Sequence, residues 1–250
     1  MNRLLLLSAC WFAGLVAGLG AISCPVALAH GFRSVEADVW LTNGALLVAH
    51  DFKDTSPEKT LAALYLDPLR AYARNNVRKG AGRPLTLLID VKSDAEKTYA
   101  ALREVLHSYA DILTRFESNT IHTNAVIVII SGARAEAVMR AEKVRFAALD
   151  GRWNDLDTNP PPALVPLVSD NWTKYFQWRG VGPMPGDERE RLLQLSRRAH
   201  AHGRRLRLWA APDNEAGWKE LFEAGVDLLN TDKLADLERF LRAQNLTTRE

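Results

Sequence analysis

Cysteine is nearly absent from this chain: there are two in 250 residues, Cys10 and Cys24, both close to the start. Everything after Cys24 therefore lacks thiols, which excludes a disulfide framework or a thiolate metal centre there. A dominant charge is missing too. Thirty-two Lys and Arg meet thirty Asp and Glu, for a net charge of +2. That balance is too even to attract nucleic acid, and none is expected as a partner. The short basic clusters at Arg189–Arg191, Arg197-Arg198 and Arg204–Arg207 read as solvated helix faces and a strand entry. Low-complexity tracts and a linker that would split the chain are also missing; Pro-rich Thr158–Pro162 reads as a loop.

What is present begins with one long uncharged apolar run, Leu4 to Cys24, behind Met1-Asn2-Arg3 and ahead of Ala27-Leu28-Ala29. This pattern predicts a signal peptide or N-terminal membrane anchor over residues 1–29, with the functional domain at 30–250. An exported protein follows, periplasmic or extracellular, with membrane contact available through residues 4–24. At 250 residues, 47% of them hydrophobic, the chain can bury one full core, and its length suits an α/β barrel.

Short Val/Ile/Leu-rich runs alternate with helical patterns. Strands are expected at Val35–Leu41, Ala45–His50, Leu85–Lys92, Ala125–Ser131, Phe146–Asp150, Leu164–Asp170, Arg205–Ala210 and Asp227–Asp232. Helices are expected at Leu61–Arg74, Ala95–Ser108, Arg134–Ala141, Asp187–His202, Glu215–Glu223 and Leu234–Ala243. This alternation implies parallel strands with helical crossovers. Polar residues gather at the C-terminal ends of nearly every strand, among them Asp90, Lys92, Ser131, Asp150, Arg152, Trp209 and Asn230. A TIM (β/α)8-type barrel opens all those ends onto one face, whereas an open doubly wound sheet gathers them only at its switch point.

Within this pattern, Val35-Glu36-Ala37-Asp38-Val39 places two carboxylates on one side of a strand. Taken alone, such a pair also fits a solvated strand face. Its apolar flanks favour burial instead, and buried carboxylates side by side call for a cation. Oxygen ligands suit Mg²⁺ or Ca²⁺. His50 and Asp51 arrive at the end of the next strand, where a proton donor or acceptor is useful.

The ordered segments Gly31–Val39, Leu47–Asp51, Leu88–Lys92, Ala148–Arg152, Leu167–Trp172, Leu208–Asn214 and Gly225–Asp232 together resemble the glycerophosphodiester phosphodiesterase and phosphatidylinositol-specific phospholipase C superfamily. Within it they resemble the group related to altered inheritance of mitochondria protein 6. The resemblance covers about Ala27 to Leu241. It implies a TIM barrel and a metal-dependent phosphoric diester hydrolase acting on a small-molecule or lipid-derived phosphodiester, such as glycerophosphodiesters. Glu36, Asp38 and Asp90 match the metal ligands, Asp90 standing where many relatives carry Glu. His50 matches one of two acid–base histidines, Lys92 a phosphate-neutralising lysine, and Trp209 an aromatic residue lining the substrate side. Ser131 and Arg152, at neighbouring strand ends, are further candidates for substrate contact, although a serine closing a strand ahead of Gly132 equally fits a helix cap.

One expected part is missing. Relatives carry another histidine at the end of the first barrel strand, and here the apolar N-terminal segment occupies that place. His30 lies before a strand, at the face away from the site. Three readings stay open: a misplaced start; an apolar segment that donates a makeshift strand, for instance around Ala21–Cys24; or a catalytically impaired metal- and anion-binding module. Asp150, Arg152 and Asp170 fit either substrate contact or a salt-bridged network beneath it. His107, His122, His200 and His202 have no ligand-like spacing, and Asp213 and Asn214 read as helix caps.

Overall fold

The computed structural model describes residues 6–9, 23–76 and 84–247. Its strands in chain order are β1 (Leu6–Ala9), β2 (Ser34–Thr42), β3 (Ala45–Val48), β4 (Leu85–Val91), β5 (Arg115–Glu117) and β6 (Thr120–His122). They continue with β7 (Val126–Gly132), β8 (Val144–Arg145), β9 (Ala148–Gly151), β10 (Leu167–Asn171), β11 (Arg205–Trp209) and β12 (Leu228–Leu229). The helices are α1 (Cys24–Ala29), α2 (Asp67–Asn76), α3 (Ala95–His107), α4 (Glu136–Ala141), α5 (Asp155–Thr158), α6 (Gly186–Ala201), α7 (Glu215–Glu223) and α8 (Leu234–Thr247).

Eight parallel strands follow one another in the order β1, β2, β4, β7, β9, β10, β11, β12, and β1 pairs with both β2 and β12 to close the ring. This is the barrel that the strand–helix alternation predicts. Strands such as β7, Val-Ile-Val-Ile-Ile before Ser131, are apolar on both faces because each face meets a different core. Leu88, Ile127, Ile129, Ala148, Leu167 and Leu228 fill the lower interior of the ring. Their alternating neighbours Leu87, Ile89, Val128, Ile130, Leu149 and Val168 pack outward with the helices. Burying each Leu or Ile in this way stabilises the fold by about 1.5–3 kcal/mol.

The apolar N-terminal segment does supply a ring strand, but at Leu6–Ala9, not around Ala21–Cys24. Cys24 instead opens α1, because Pro25 at the first helical turn fixes φ and needs no donor there. Ser8 and Ala9 register with Ser34 and Val35, and Leu6 and Leu7 with Leu228 and Leu229, so the edges of β2 and β12 are paired. Both β1 and α1 lie within residues 1–29, and the rest of the Leu4–Cys24 run up to residue 22 lies outside the described residues. Among the described residues no helix is long and apolar enough to cross a membrane.

Two further elements bear on the site. Asn43 and Gly44, at φ 51° and 79°, make the tight turn that folds β3 back along β2. A π-helical turn at Ala62–Leu66 leads into α2 and buries Tyr65, whose hydroxyl donates to the Glu36 carbonyl at 2.8 Å. A small antiparallel sheet, in the order β6, β5, β8, stands outside the ring.

Candidate active site

Register decides which side chains meet. Asp38 on β2 lies beside Asp90 on β4, and Asp90 beside Ser131 on β7. Glu36 and Asp38 share a face with a spacing of two, so both turn into the upper ring. A carboxylate oxygen from each of Glu36, Asp38 and Asp90 lies within 4.8 Å of the others. The hairpin brings His50 back over β2, where Ala49 N–H donates to the Asp38 carbonyl at 3.1 Å. The Trp40 indole donates to Ala49 O at 3.0 Å and meets Phe52 edge-on at 5.4 Å, which pins the loop carrying His50. His50 Nδ1 sits 2.9 Å from Asp38 Oδ2.

Basic groups interleave with these acids. Lys92 Nζ lies 2.6 Å from Asp90 Oδ2 and 3.2 Å from Asp38 Oδ1. Arg207 Nη2 lies 2.6 Å from Glu36 Oε2. On the other wall, fully buried Asp150 accepts hydrogen bonds from Ser131 Oγ at 2.7 Å, from Arg152 Nη1 at 2.8 Å and from Ser169 Oγ. These residues enclose a cavity of about 310 Å³ lined by Glu36, Asp38, His50, Asp90, Lys92, Ser131, Gly132, Arg152, Arg207 and Trp209. A cavity of this size admits a small ligand.

Every site residue expected from the sequence therefore lines one cavity: Glu36, Asp38, Asp90, His50, Lys92, Trp209, Arg152 and Ser131. Ser131 does so while tied to Asp150. Asp150 and Arg152 form the network that was one of two readings for them, whereas Asp170 does not join it. Asp170 points out of the ring to Tyr175 and Lys174. His30 pairs with Glu238 of α8 at 2.7 Å, at the far end of the barrel as its position predicts. Among the described residues, His50 is the one histidine lining the cavity. Asn214 caps α7 by accepting from Gly217 N–H at 2.9 Å, while Asp213 accepts from the Trp218 indole.

Arg207 is the site residue that sequence reasoning missed, read as part of a solvated basic cluster at a strand entry. The signal was available: in Arg205-Leu206-Arg207-Leu208-Trp209, the residue two before Trp209 shares its face.

Burial pushes the Glu36 carboxyl up to about 7, against the pull of Arg207 and with help from the charges of Asp38, Asp90 and Asp150. Burial likewise raises Asp38, although His50 and Lys92 oppose it. Burial works against the Lys92 ammonium, yet Asp90 and Asp38 outweigh it and hold its pKa above the usual value. Carboxylates kept reluctant to ionise are ones that a divalent cation would relieve, and three oxygen donors fit Mg²⁺ or Ca²⁺. For Glu36, the folded protein holds a proton that the unfolded chain releases between its ordinary value of 4.5 and about 7. Stability from this group is thus present at low pH and lost as pH rises through about 7. A cation that binds the ionised form restores it. The gain in melting temperature from saturating Mg²⁺ or Ca²⁺ is therefore expected to be larger at about pH 8 than at about pH 5. An equal or smaller gain at the higher pH would contradict this.

Comparison with known proteins agrees with the geometry. Residues 23–150, just over half of the chain, match the AIM6-like phosphodiesterase domain. The chain belongs to this family. Residues 205–235 also match the glycerophosphoryl diester phosphodiesterase family. The altered inheritance of mitochondria protein 6 homolog of Arthroderma benhamiae is 28% identical over 241 residues, covering 85% of this chain and 76% of the relative. The Eremothecium gossypii protein is also 28% identical, with 86% of this chain and 65% of the relative covered. Among solved structures, a calcium-dependent phosphoinositol-specific phospholipase C from Pseudomonas sp superposes with a TM-score of 0.55 at 14% identity, covering 82% of this chain and 81% of the other. A glycerophosphodiester phosphodiesterase from Agrobacterium tumefaciens gives 0.54 at 15% identity, covering 95% and 99%. At such identities these two establish the shared TIM-barrel fold.

Proposed function

We infer that this AIM6-like domain is a metal-dependent phosphodiesterase acting on glycerophosphodiesters or related lipid headgroups. The observation that carries this reading is that Glu36, Asp38 and Asp90 converge with His50 and Lys92 in one cavity. The three carboxylates would hold Mg²⁺ or Ca²⁺, which when bound supplies positive charge to a phosphate oxygen as a Lewis acid. The relative described as calcium-dependent supports that choice of ion class.

The chain's own residues supply the rest. Lys92, held by Asp38 and Asp90, presents its ammonium at the cavity wall to offset charge on the phosphoryl group. With Asp38 ionised and accepting from Nδ1–H, the neutral His50 ring keeps Nε2 as the atom that takes a proton from an attacking hydroxyl. In the superfamily chemistry that hydroxyl belongs to the substrate: its oxygen bonds to phosphorus as the P–O bond to the leaving alcohol breaks, the leaving oxygen takes a proton from the His50 ring or from water, and water then opens the cyclic phosphate. Arg152 and Ser131, fixed by Asp150, and the Trp209 ring form the wall for the headgroup.

The alternative is an impaired module that binds metal and anion, favoured by His50 being the single histidine that lines the cavity among the described residues. Both readings are separated by incubating the protein with glycerophosphocholine and Mg²⁺ or Ca²⁺. Choline or glycerol phosphate released, and lost on chelation, supports the enzyme. Metal-dependent thermal stabilisation by the diester without product supports the module. Turnover that ignores chelation overturns the metal-dependent reading.

A further inference from the structure

We propose that Arg207 sets the charge of this cavity: it holds Glu36 in place, limits the affinity for a divalent cation bound alone, and raises the affinity for the phosphodiester anion. The proposal rests on the reading that the three carboxylates hold a cation.

Arg207 has only 4% of its side chain exposed, and besides Glu36 it donates from Nε to Asn230 Oδ1 at 3.1 Å. It comes from β11, which turns Arg205, Arg207 and Trp209 to the interior. Arg205 reaches across the ring to Thr86 Oγ1 at 2.9 Å. Barrel interiors are ordinarily filled by branched apolar side chains, and burying a guanidinium is unfavourable unless its charge is answered. Here the answering charge is a carboxylate that also faces the cavity, so the pair is coupled to whatever binds there.

Charge balance gives the direction. Three carboxylates and three basic side chains line the cavity, and one of the basic groups, Arg152, is already matched by Asp150 beneath it. With Lys92 and Arg207 set against Glu36, Asp38 and Asp90, one negative charge is left over. A divalent cation turns that into one positive charge, which a phosphodiester monoanion neutralises. Without Arg207 the cation meets two negative charges. Once bound, it leaves no net charge to attract the anion. Removing Arg207 should therefore shift the two affinities in opposite directions. A residue that merely supported the structure would weaken both together.

The test uses Arg207→Gln and Arg207→Lys in the full chain, with affinities compared at the alkaline plateau of their pH dependence, because Glu36 loses the pull of Arg207 in the Gln variant. The Gln variant is purified with Ca²⁺, which supplies the missing charge, and then chelated. Calorimetric Ca²⁺ affinity without diester is expected to tighten on the order of tenfold in Arg207→Gln. Affinity for glycerophosphoglycerol, a diester with a single net negative charge, at saturating Ca²⁺, read by equilibrium dialysis on a His50→Ala background that slows turnover, is expected to weaken by about the same factor. Arg207→Lys should restore both to within about threefold, because it keeps the charge. Weaker or unchanged Ca²⁺ binding in Arg207→Gln overturns the proposal, as does a Gln variant that does not fold even in Ca²⁺. Wild-type protein that binds no divalent cation instead overturns the metal-dependent reading itself.

Discussion

Replacing His50 with alanine is expected to slow hydrolysis of glycerophosphocholine by about 10²–10⁴-fold, the range for losing a positioned general acid or base. Its ring sits at the cavity wall, fixed by Asp38 at 2.9 Å, and a third of it is exposed. Little packing is lost on its removal, so the melting temperature should move by only a degree or two. Ca²⁺ or Mg²⁺ affinity should also stay close to wild type, because the three carboxylates remain. Rates within about threefold of wild type would show that His50 does not move the proton. A large drop in metal affinity would show that it acts through Asp38 instead.

The second large effect is expected from Gly132→Ala. Gly132 closes β7 at φ +67°, and an added Cβ would fall 2.0 Å from Asp90 Oδ1 and 2.4 Å from Val91 O. The backbone conformation disfavours any side chain, and the nearest obstacle is a proposed metal ligand. Destabilisation by about 2–4 kcal/mol follows, near 5–15 °C in melting temperature for a chain of this size. Metal-dependent stabilisation should fall with it as Asp90 is pushed aside. A variant that melts like wild type and keeps its response to metal would contradict the close approach.

Sequence reasoning recovered most of this architecture because the physics that fixes it is local and periodic. Continuous Val/Ile/Leu runs such as Val126–Ile130 marked strands covered on both faces, and the polar residue ending each run marked the open face of the ring. Glu36 and Asp38 were legible as a pair because strand side chains alternate. Two things were not. β1 could not be located, because Leu6–Ala9 lies in a long apolar run with no alternation to separate strand from leader. Arg207 was misread because a basic cluster suggests solvent, whereas in the fold it pairs with Glu36, 171 positions away in sequence, and is buried. The small sheet of β5, β6 and β8 was missed for a similar reason, since strands of two or three residues carry too few side chains to show a period.

The central proposal is that Glu36, Asp38 and Asp90 bind a divalent cation on which the phosphodiesterase chemistry depends. A calorimetric titration of the chelated protein with Ca²⁺ and with Mg²⁺ at about pH 8, beside Asp38→Asn, tests it most directly. One cation per chain in the wild type, with binding at least about tenfold weaker in Asp38→Asn, is the predicted result. Wild-type protein that binds neither ion, or Asp38→Asn that binds as tightly as wild type, would contradict it.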